Sequence, residues 1–209
     1  NIENLKQEIK LAARSHSNVI ITGETGSGKE LVAHSIHQLS QRSLFDFVKI
    51  NCAAVPGELF ESELFGYEEG SFTGAKKGGK KGLAEIADKG TLFLDEIDAL
   101  SMQMQAKLLR FIQEREILKI GGDKTISVDT RIIAATNKNL LELIEREEFR
   151  EDLYYRLHVI SIEVSPLRQR KSDIPELVNN FLEELNNSLG RSVDKHRVKH
   201  LDIAALKVL

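Results

Sequence analysis

One cysteine, three prolines and no tryptophan occur in a chain of 209 residues. The lone Cys52 excludes an internal disulfide framework and any multi-cysteine zinc or iron–sulfur site, and it fits a reducing compartment. Neither sign of charge dominates: 29 Lys+Arg against 32 Asp+Glu leave a formal net charge of -3. That balance argues against a strongly basic nucleic-acid binder. No apolar run approaches the ~20 residues of a membrane span. The start, Asn1-Ile2-Glu3-Asn4, offers neither a charged leader nor an apolar signal core. Aromatics are sparse at 6%, yet hydrophobic residues reach 41%, too many for a disordered chain. The expectation is a cytoplasmic protein without membrane contact, built as one domain or as one domain with a small appendage.

No internal repeat is visible, and apolar spacing supplies the layout. Ile2, Leu5, Ile9 and Ala12 mark one face of a helix ending near Arg14. The β-branched run Asn18–Thr22 stops at a glycine-rich segment, after which Leu31, Val32, Ile36 and Leu39 recur at helical spacing. Further short strands are predicted at Phe47–Ile50, Thr91–Leu94, Arg131–Ala135 and Val159–Val164, with helices such as Gln105–Glu114 between them. Their nearly continuous apolar character suits strands of a parallel sheet buried on both faces. Alternating strand and helix argues for an α/β sandwich. The stretch from Gly66 to Gly82, with six glycines and four lysines, interrupts this rhythm as a loop or hairpin insertion. Beyond Pro166 the pattern turns purely helical. Ser172 and Asp173 offer a cap, Ile174 to Leu189 carry the stripe, Gly190 a stop, and a last helix is expected near Ile203–Leu209.

Three strand ends carry chemistry. Gly23-Glu24-Thr25-Gly26-Ser27-Gly28-Lys29 fits the start of the phosphate-binding pattern G-x-x-x-x-G-K. Its glycines turn successive N–H groups inward, its lysine reaches the β and γ phosphates, and the following helix adds its positive end. The eighth position is Glu30, where that pattern has a hydroxyl for Mg²⁺. Thr91-Leu92-Phe93-Leu94-Asp95-Glu96 is an apolar strand ending in two carboxylates. Asp95 can hold Mg²⁺ through water, and Glu96 can orient or deprotonate an attacking water. Asn137 ends the strand Arg131–Ala135, at the edge where open α/β sheets bind ligands. It either contacts a γ-phosphate or water, or caps the helix starting at Asn139. The pairs His34/His37 and His196/His200 lack a third ligand and read as structural or solvated. Cys52 reads as a buried small hydrophobe, and Lys76, Lys77, Lys80 and Lys81 as a solvated loop in preference to a nucleic-acid contact.

Together these pieces resemble the AAA+ ATPase domain of bacterial sigma-54-dependent transcriptional activators, the enhancer-binding proteins, over nearly the whole chain. The family's P-loop also ends in Glu at the position of Glu30. Gly70-Ser71-Phe72-Thr73-Gly74-Ala75 resembles the family's GAFTGA loop, with Ser71 where Ala is usual. The resemblance implies that this loop touches the sigma factor at the pore of a ring, presenting Phe72 and Thr73. Phe149-Arg150-Glu151-Asp152-Leu153-Tyr154-Tyr155-Arg156-Leu157 is similar to the arginine-finger segment. By that match Arg150 and Arg156 reach a neighbour's γ-phosphate. Asn51 matches the asparagine that pairs with the catalytic glutamate, here Glu96, unless it merely ends the second strand.

The resemblance implies an αβα sandwich with a parallel sheet over residues 1–165, a sigma-contacting loop near 66–82, and a helical lid over 166–209. ATP and Mg²⁺ are the implied cofactors, sigma-54 the implied partner, and a hexameric ring the implied assembly. Family members continue into a Trp-Pro-Gly-Asn-Val-Arg segment that Leu209 precedes. The expectation is therefore a truncated lid with impaired hydrolysis, and DNA contact only through a domain outside this chain. Two rivals stand beside this reading: an AAA+ ATPase remodelling another protein or nucleic acid, and a nucleotide-binding switch without turnover.

Overall fold

The computed structural model describes residues 2–72, 75–179 and 183. They fall into two units, one running Glu3–Val164 and the other beginning at Ser165. The first unit alternates helix and strand. It opens with α1 (Ile2–Arg14), β1 (Val19–Gly23), α2 (Lys29–Gln38), β2 (Phe47–Asn51) and α3 (Gly57–Phe65). A short hairpin, β3 (Gly66–Tyr67) with β4 (Lys80–Lys81), leads to α4 (Leu83–Ile86) and β5 (Thr91–Asp95). Next come α5 (Met102–Glu114) and a second hairpin, β6 (Glu116–Leu118) with β7 (Thr125–Ser127). The unit closes with β8 (Arg131–Thr136), α6 (Leu140–Glu145), α7 (Glu151–Leu157) and β9 (Ile160–Val164).

Five strands form one parallel sheet in the order β2-β5-β8-β1-β9. Alternation along each strand divides the core in two. Val19, Ile21, Phe93, Ile133, Ala135 and Ile162 face α1 and α2. Ile20, Ile50, Leu92, Leu94, Ile132 and Ala134 face the helices from α3 to α7. Both faces are covered, which is why these strands read as unbroken apolar runs. The α2 stripe differs from its sequence expectation: Val32, Ala33 and Ile36 are buried, whereas Leu31 and Leu39 are exposed. A helix lying flat on a sheet covers only a narrow strip, and these two leucines fall outside it.

Two buried polar contacts fasten the layers. Arg131, at the start of β8, donates from Nη2 to the carbonyl of Ala12 (2.7 Å) and from Nε to that of Ser17 (3.1 Å). A cation thereby meets the carbonyl-rich end of α1. Burial, with Arg42 nearby, pushes its pKa down to about 10. On α2, His37 shares a 2.9 Å hydrogen bond between Nδ1 and the Thr91 hydroxyl, and its ring lies against Phe47. Gly90, just before β5, is pressed against the chain entering β2: a Cβ there would stand 2.1 Å from the Asp46 carbonyl oxygen.

In the second unit, Leu167–Gln169 and Lys171–Asp173 are 3₁₀ turns, and residues 174–179 are helical. Ser172 and Asp173, expected as a cap, lie in the second turn. The remainder of the expected stripe, the stop at Gly190, the pair His196/His200 and the last helix lie outside the described residues.

Gly90→Ala should force β2 and β5 apart where they start, costing about 2 kcal/mol or more. In a chain of this size that lowers the Tm by roughly 4–8 °C, read by thermal denaturation. His37 gives a pH signature. Burial first, then His34, lowers its pKa from the ordinary value, so the folded state favours the neutral ring. Below about pH 6.5 the unfolded chain takes up the proton first, and stability falls with falling pH. Between about pH 7.5 and about pH 5.5, His37→Gln should lose less Tm than the parent.

Candidate functional site

Parallel pairing sends the ends of β1, β2, β5 and β8 to one edge of the sheet. Thr22 pairs with Thr136, and Asn51 with Asp95. The loop after β1 folds through left-handed glycines, with Gly26 at φ 78° and Gly28 at φ 97°, a conformation that a Cβ would strain. Lys29 begins α2, and its ammonium reaches back across this loop to the carbonyls of Gly23 (2.9 Å) and Glu24 (3.0 Å). A cavity of about 460 Å³ opens here, bringing Thr25, Lys29, Glu30, Asp95 and Glu96 together.

Asn137 joins this group. Its Nδ2 donates to Thr25 Oγ1 at 3.0 Å. The cap of α6 is Asn139, which accepts from Leu141 N–H. The strand end therefore aims Asn137 at the phosphate-type loop.

At the end of β5, Asp95 Oδ1 accepts from Glu96 N–H at 3.0 Å. Burial pushes the Asp95 carboxyl above the usual carboxylate range; that hydrogen bond and Lys29 oppose the shift, while Glu96 and Glu30 add to it. Glu96 takes a left-handed backbone at φ 53°, an uncommon and strained setting for a non-glycine residue. The donor set suits a hard divalent cation: Mg²⁺ binds through one or two carboxylates and otherwise keeps water and phosphate oxygens. Among the described residues no cluster of three or more His, Cys, Asp or Glu side chains could hold a metal by itself. Glu30, at the position where the general pattern has a hydroxyl, meets Lys49 Nζ at 2.5 Å. Both side chains are more than half exposed, so this pair is worth less than ~1 kcal/mol and yields readily to a ligand.

Asn51 is held differently. Its Oδ1 accepts from the N–H groups of Ala53 and Ala54, each at 2.9 Å, and among the described residues it shares no hydrogen bond with Glu96. Cys52 is buried, with its backbone N–H donating to the Asp95 carbonyl at 2.9 Å, and its thiol pKa is raised by burial first and then by Asp95, Asp98 and Glu96.

The arginines stand apart from this cavity. Arg150 forks onto the Asp152 carboxylate (3.0 and 2.7 Å), and its backbone N–H donates to the buried Gln105. Arg156 sits at the opposite edge of the sheet, where Asn18, just before β1, donates to its carbonyl at 3.0 Å. It lines a second cavity of about 250 Å³ with Arg42, Arg115 and His16. A five-residue strand separates the two edges by about 13 Å or more.

The 66–82 insertion is a hairpin, with Gly66 paired to Lys81 and Tyr67 to Lys80. Phe72 is 43% exposed, and its ring meets Tyr67 edge-on at 5.0 Å. Gly70, Ser71 and Ala75 are in place around it; Thr73 and Gly74 lie outside the described residues. Lys80 and Lys81 are paired with Glu63 and Glu85, so half of the basic loop is neutralised. Sequence reasoning missed Gln105, and it missed Asp98, Thr136 and Lys138, which form a bonded set directly behind Glu96 and Asn137. The available signal was a third carboxylate after Asp95-Glu96 and a hydroxyl immediately before Asn137.

The sigma-54 interaction domain matches residues 1–163. A signal-transduction and transcriptional-control protein of Clostridium beijerinckii is 55% identical over 94% of this chain and 31% of its own length. A Nif-specific regulatory protein of Bradyrhizobium diazoefficiens is 52% identical over 98% of this chain and 34% of its own length. The chain thus spans about a third of the length of these curated relatives. Among solved structures, NtrX from Brucella abortus in complex with ADP superposes with a TM-score of 0.83 at 39% identity, over 90% of this chain and 41% of that one. The P-loop NTPase domain of an Escherichia coli sigma-54 activator shares the fold, with a TM-score of 0.54 at 19% identity over 79% of this chain and 95% of that one. The chain belongs to the sigma-54 interaction domain family.

Proposed function

We propose that this chain is the ATP-hydrolysing motor module of a sigma-54-dependent transcriptional activator, remodelling the closed complex of sigma-54 RNA polymerase. The observation that carries the reading is one cavity holding Lys29, Asp95 and Glu96, with Asn137 bonded to its phosphate-type loop. Support for the ligand comes from NtrX, solved with ADP and with ATP. The backbone N–H groups of residues 23–30 and the Lys29 ammonium bind the phosphates, Lys29 leaving its loop carbonyls to do so. Asp95 holds Mg²⁺, which when bound neutralises charge on the phosphate oxygens. Glu96 takes the proton of the attacking water, and Asn137 orients the γ-phosphate or the water. In this reading Asn51 restrains Glu96 in another state of the cycle, its oxygen here engaged by the turn after β2.

Arg156 lies too far from its own cavity to act there. We read Arg150 and Arg156 as completing the site of a neighbouring copy, in a hexameric ring. Such an arginine neutralises transition-state charge and is worth roughly 10³–10⁵ in rate. Loop 66–82, with Phe72 and Thr73, delivers the output to sigma-54, and residues 166–209 carry the sequence features of the helical lid.

Complementation tests the shared site. Glu96→Gln and Arg156→Ala should each reduce ATP turnover of the full chain by at least about 10²-fold. Mixed together they should recover measurable phosphate release, because one copy supplies the glutamate and the other the arginine. Failure to recover would overturn action across subunits, and full turnover by Glu96→Gln would overturn the assignment of the base. For the target, Thr73→Ala should keep turnover within about twofold while abolishing the complex with sigma-54 in ADP–aluminium fluoride, read by sedimentation. Undiminished sigma-54 binding would move the output elsewhere.

A further inference from the structure

A third carboxylate stands behind the two at the end of β5, and the reading above gives it no role. Asp98 has a side chain only 4% exposed, and a buried charge is costly unless its oxygens are matched. Both are. Oδ1 accepts the Thr136 hydroxyl at 2.6 Å, and Oδ2 meets Lys138 Nζ at 3.0 Å. The Thr136 hydroxyl itself accepts from Lys138 N–H at 3.0 Å, which leaves its single proton for Asp98. These bonds close around residues 136–138, and the residue at their centre is Asn137, whose side chain reaches Thr25 in the phosphate-type loop. On its other side Asp98 belongs to the 3₁₀ turn Ile97–Ala99, entered through the left-handed Glu96. One buried side chain thus ties the turn that carries Glu96 to the strand end that carries Asn137.

We propose that Asp98 is a positioning residue for hydrolysis, fixing the Glu96 carboxylate relative to Asn137. The inference rests on the ATPase reading. The turn is held by Glu96 N–H on Asp95 Oδ1, by Ala99 N–H on the Glu96 carbonyl and by the buried Ile97; Asp98 adds the side-chain anchor that ties it to β8. Released, the turn relaxes and Glu96 moves relative to the phosphate-type loop. Misplacement by about 1 Å can cost 10²-fold in rate. Nucleotide binding depends instead on the loop N–H groups and Lys29, which Asp98 does not touch, so the loss belongs to kcat and not to KM.

The test compares Asp98→Ala, Asp98→Asn and Thr136→Val in the full chain. Asp98→Ala should lower kcat about 10- to 100-fold while KM for ATP, and affinity for a fluorescent non-hydrolysable ATP analogue, change by less than about threefold. Asp98→Asn keeps an oxygen for Thr136 and should stay within about threefold of the parent kcat. Thr136→Val, nearly isosteric, should repeat the kcat loss and carries the test if Asp98→Ala does not fold. Unchanged kcat in Thr136→Val, or a loss of kcat matched by an equal loss of analogue affinity, overturns the proposal. Glu96→Gln separates the two levels. If it abolishes turnover while Thr136→Val is normal, only the Asp98 role falls; if Glu96→Gln turns over fully, the hydrolytic assignment falls with it.

Discussion

Because the five central strands pair in parallel, through registers such as Thr22 with Thr136 and Asn51 with Asp95, their last residues are delivered to one edge. Everything polar in the main cavity hangs on that constraint. β1 ends in the glycine loop, β5 in Asp95 and Glu96, and β8 in Asn137. None of these segments is close to another in sequence, and no local preference brings them together. A one-residue slip of β5 against β8 would turn Leu92 and Leu94 toward the opposite layer. The two apolar cores that lock the register therefore also set the distance from Lys29 to the carboxylates.

The strands and the glycine loop were legible in the sequence because their signals are local. A β-branched run buried on both faces, and glycines at fixed offsets before a lysine, declare themselves without knowledge of the fold. Asn137 was legible as a strand end but not as a partner of Thr25, since a contact between β8 and the loop after β1 exists only once the sheet order is known. Asp98 was hidden for the same reason. In sequence it is one more carboxylate after Asp95-Glu96; in space it is a buried acceptor for Thr136. The α2 stripe misled in the other direction, because 3.6-residue spacing cannot tell how wide a strip the sheet will cover, and Leu31 and Leu39 remain outside it.

Charge around the cavity follows one pattern. Asp95, Glu96, Asp98 and Glu30 crowd the carboxyl edge, and three of them have a cation at hand: Lys29 acts on Asp95, Lys138 pairs with Asp98 and Lys49 with Glu30. Lys138 is committed to Asp98, a carboxylate too buried to release it cheaply. Among the described residues Lys29 is bonded to loop carbonyls, and Lys49 to Glu30 with both side chains more than half exposed. The more buried pair is the one tied to the backbone, while on the proposed reading the other contacts are those a phosphate ligand displaces. The raised pKa of Asp95 fits that division: burial destabilises its charge, and a cation beside it would offset that cost.

The same directionality that assembles one edge depletes the other. Arg156, Arg42, Arg115 and His16 line a cavity at the strand starts, with Asp129 the carboxylate that pairs with Arg42 and Arg115. With Asp95 and Glu96 at one edge and Arg156 at the opposite one, about 13 Å or more away, side-chain movement does not bring that arginine to the main cavity of its own chain. In the proposed ring, a heterologous contact repeated around a closed rotation sets one edge against the other in every pair. On the proposed reading, turnover then depends on protein concentration as well as on nucleotide, since each competent site contains two copies of the chain.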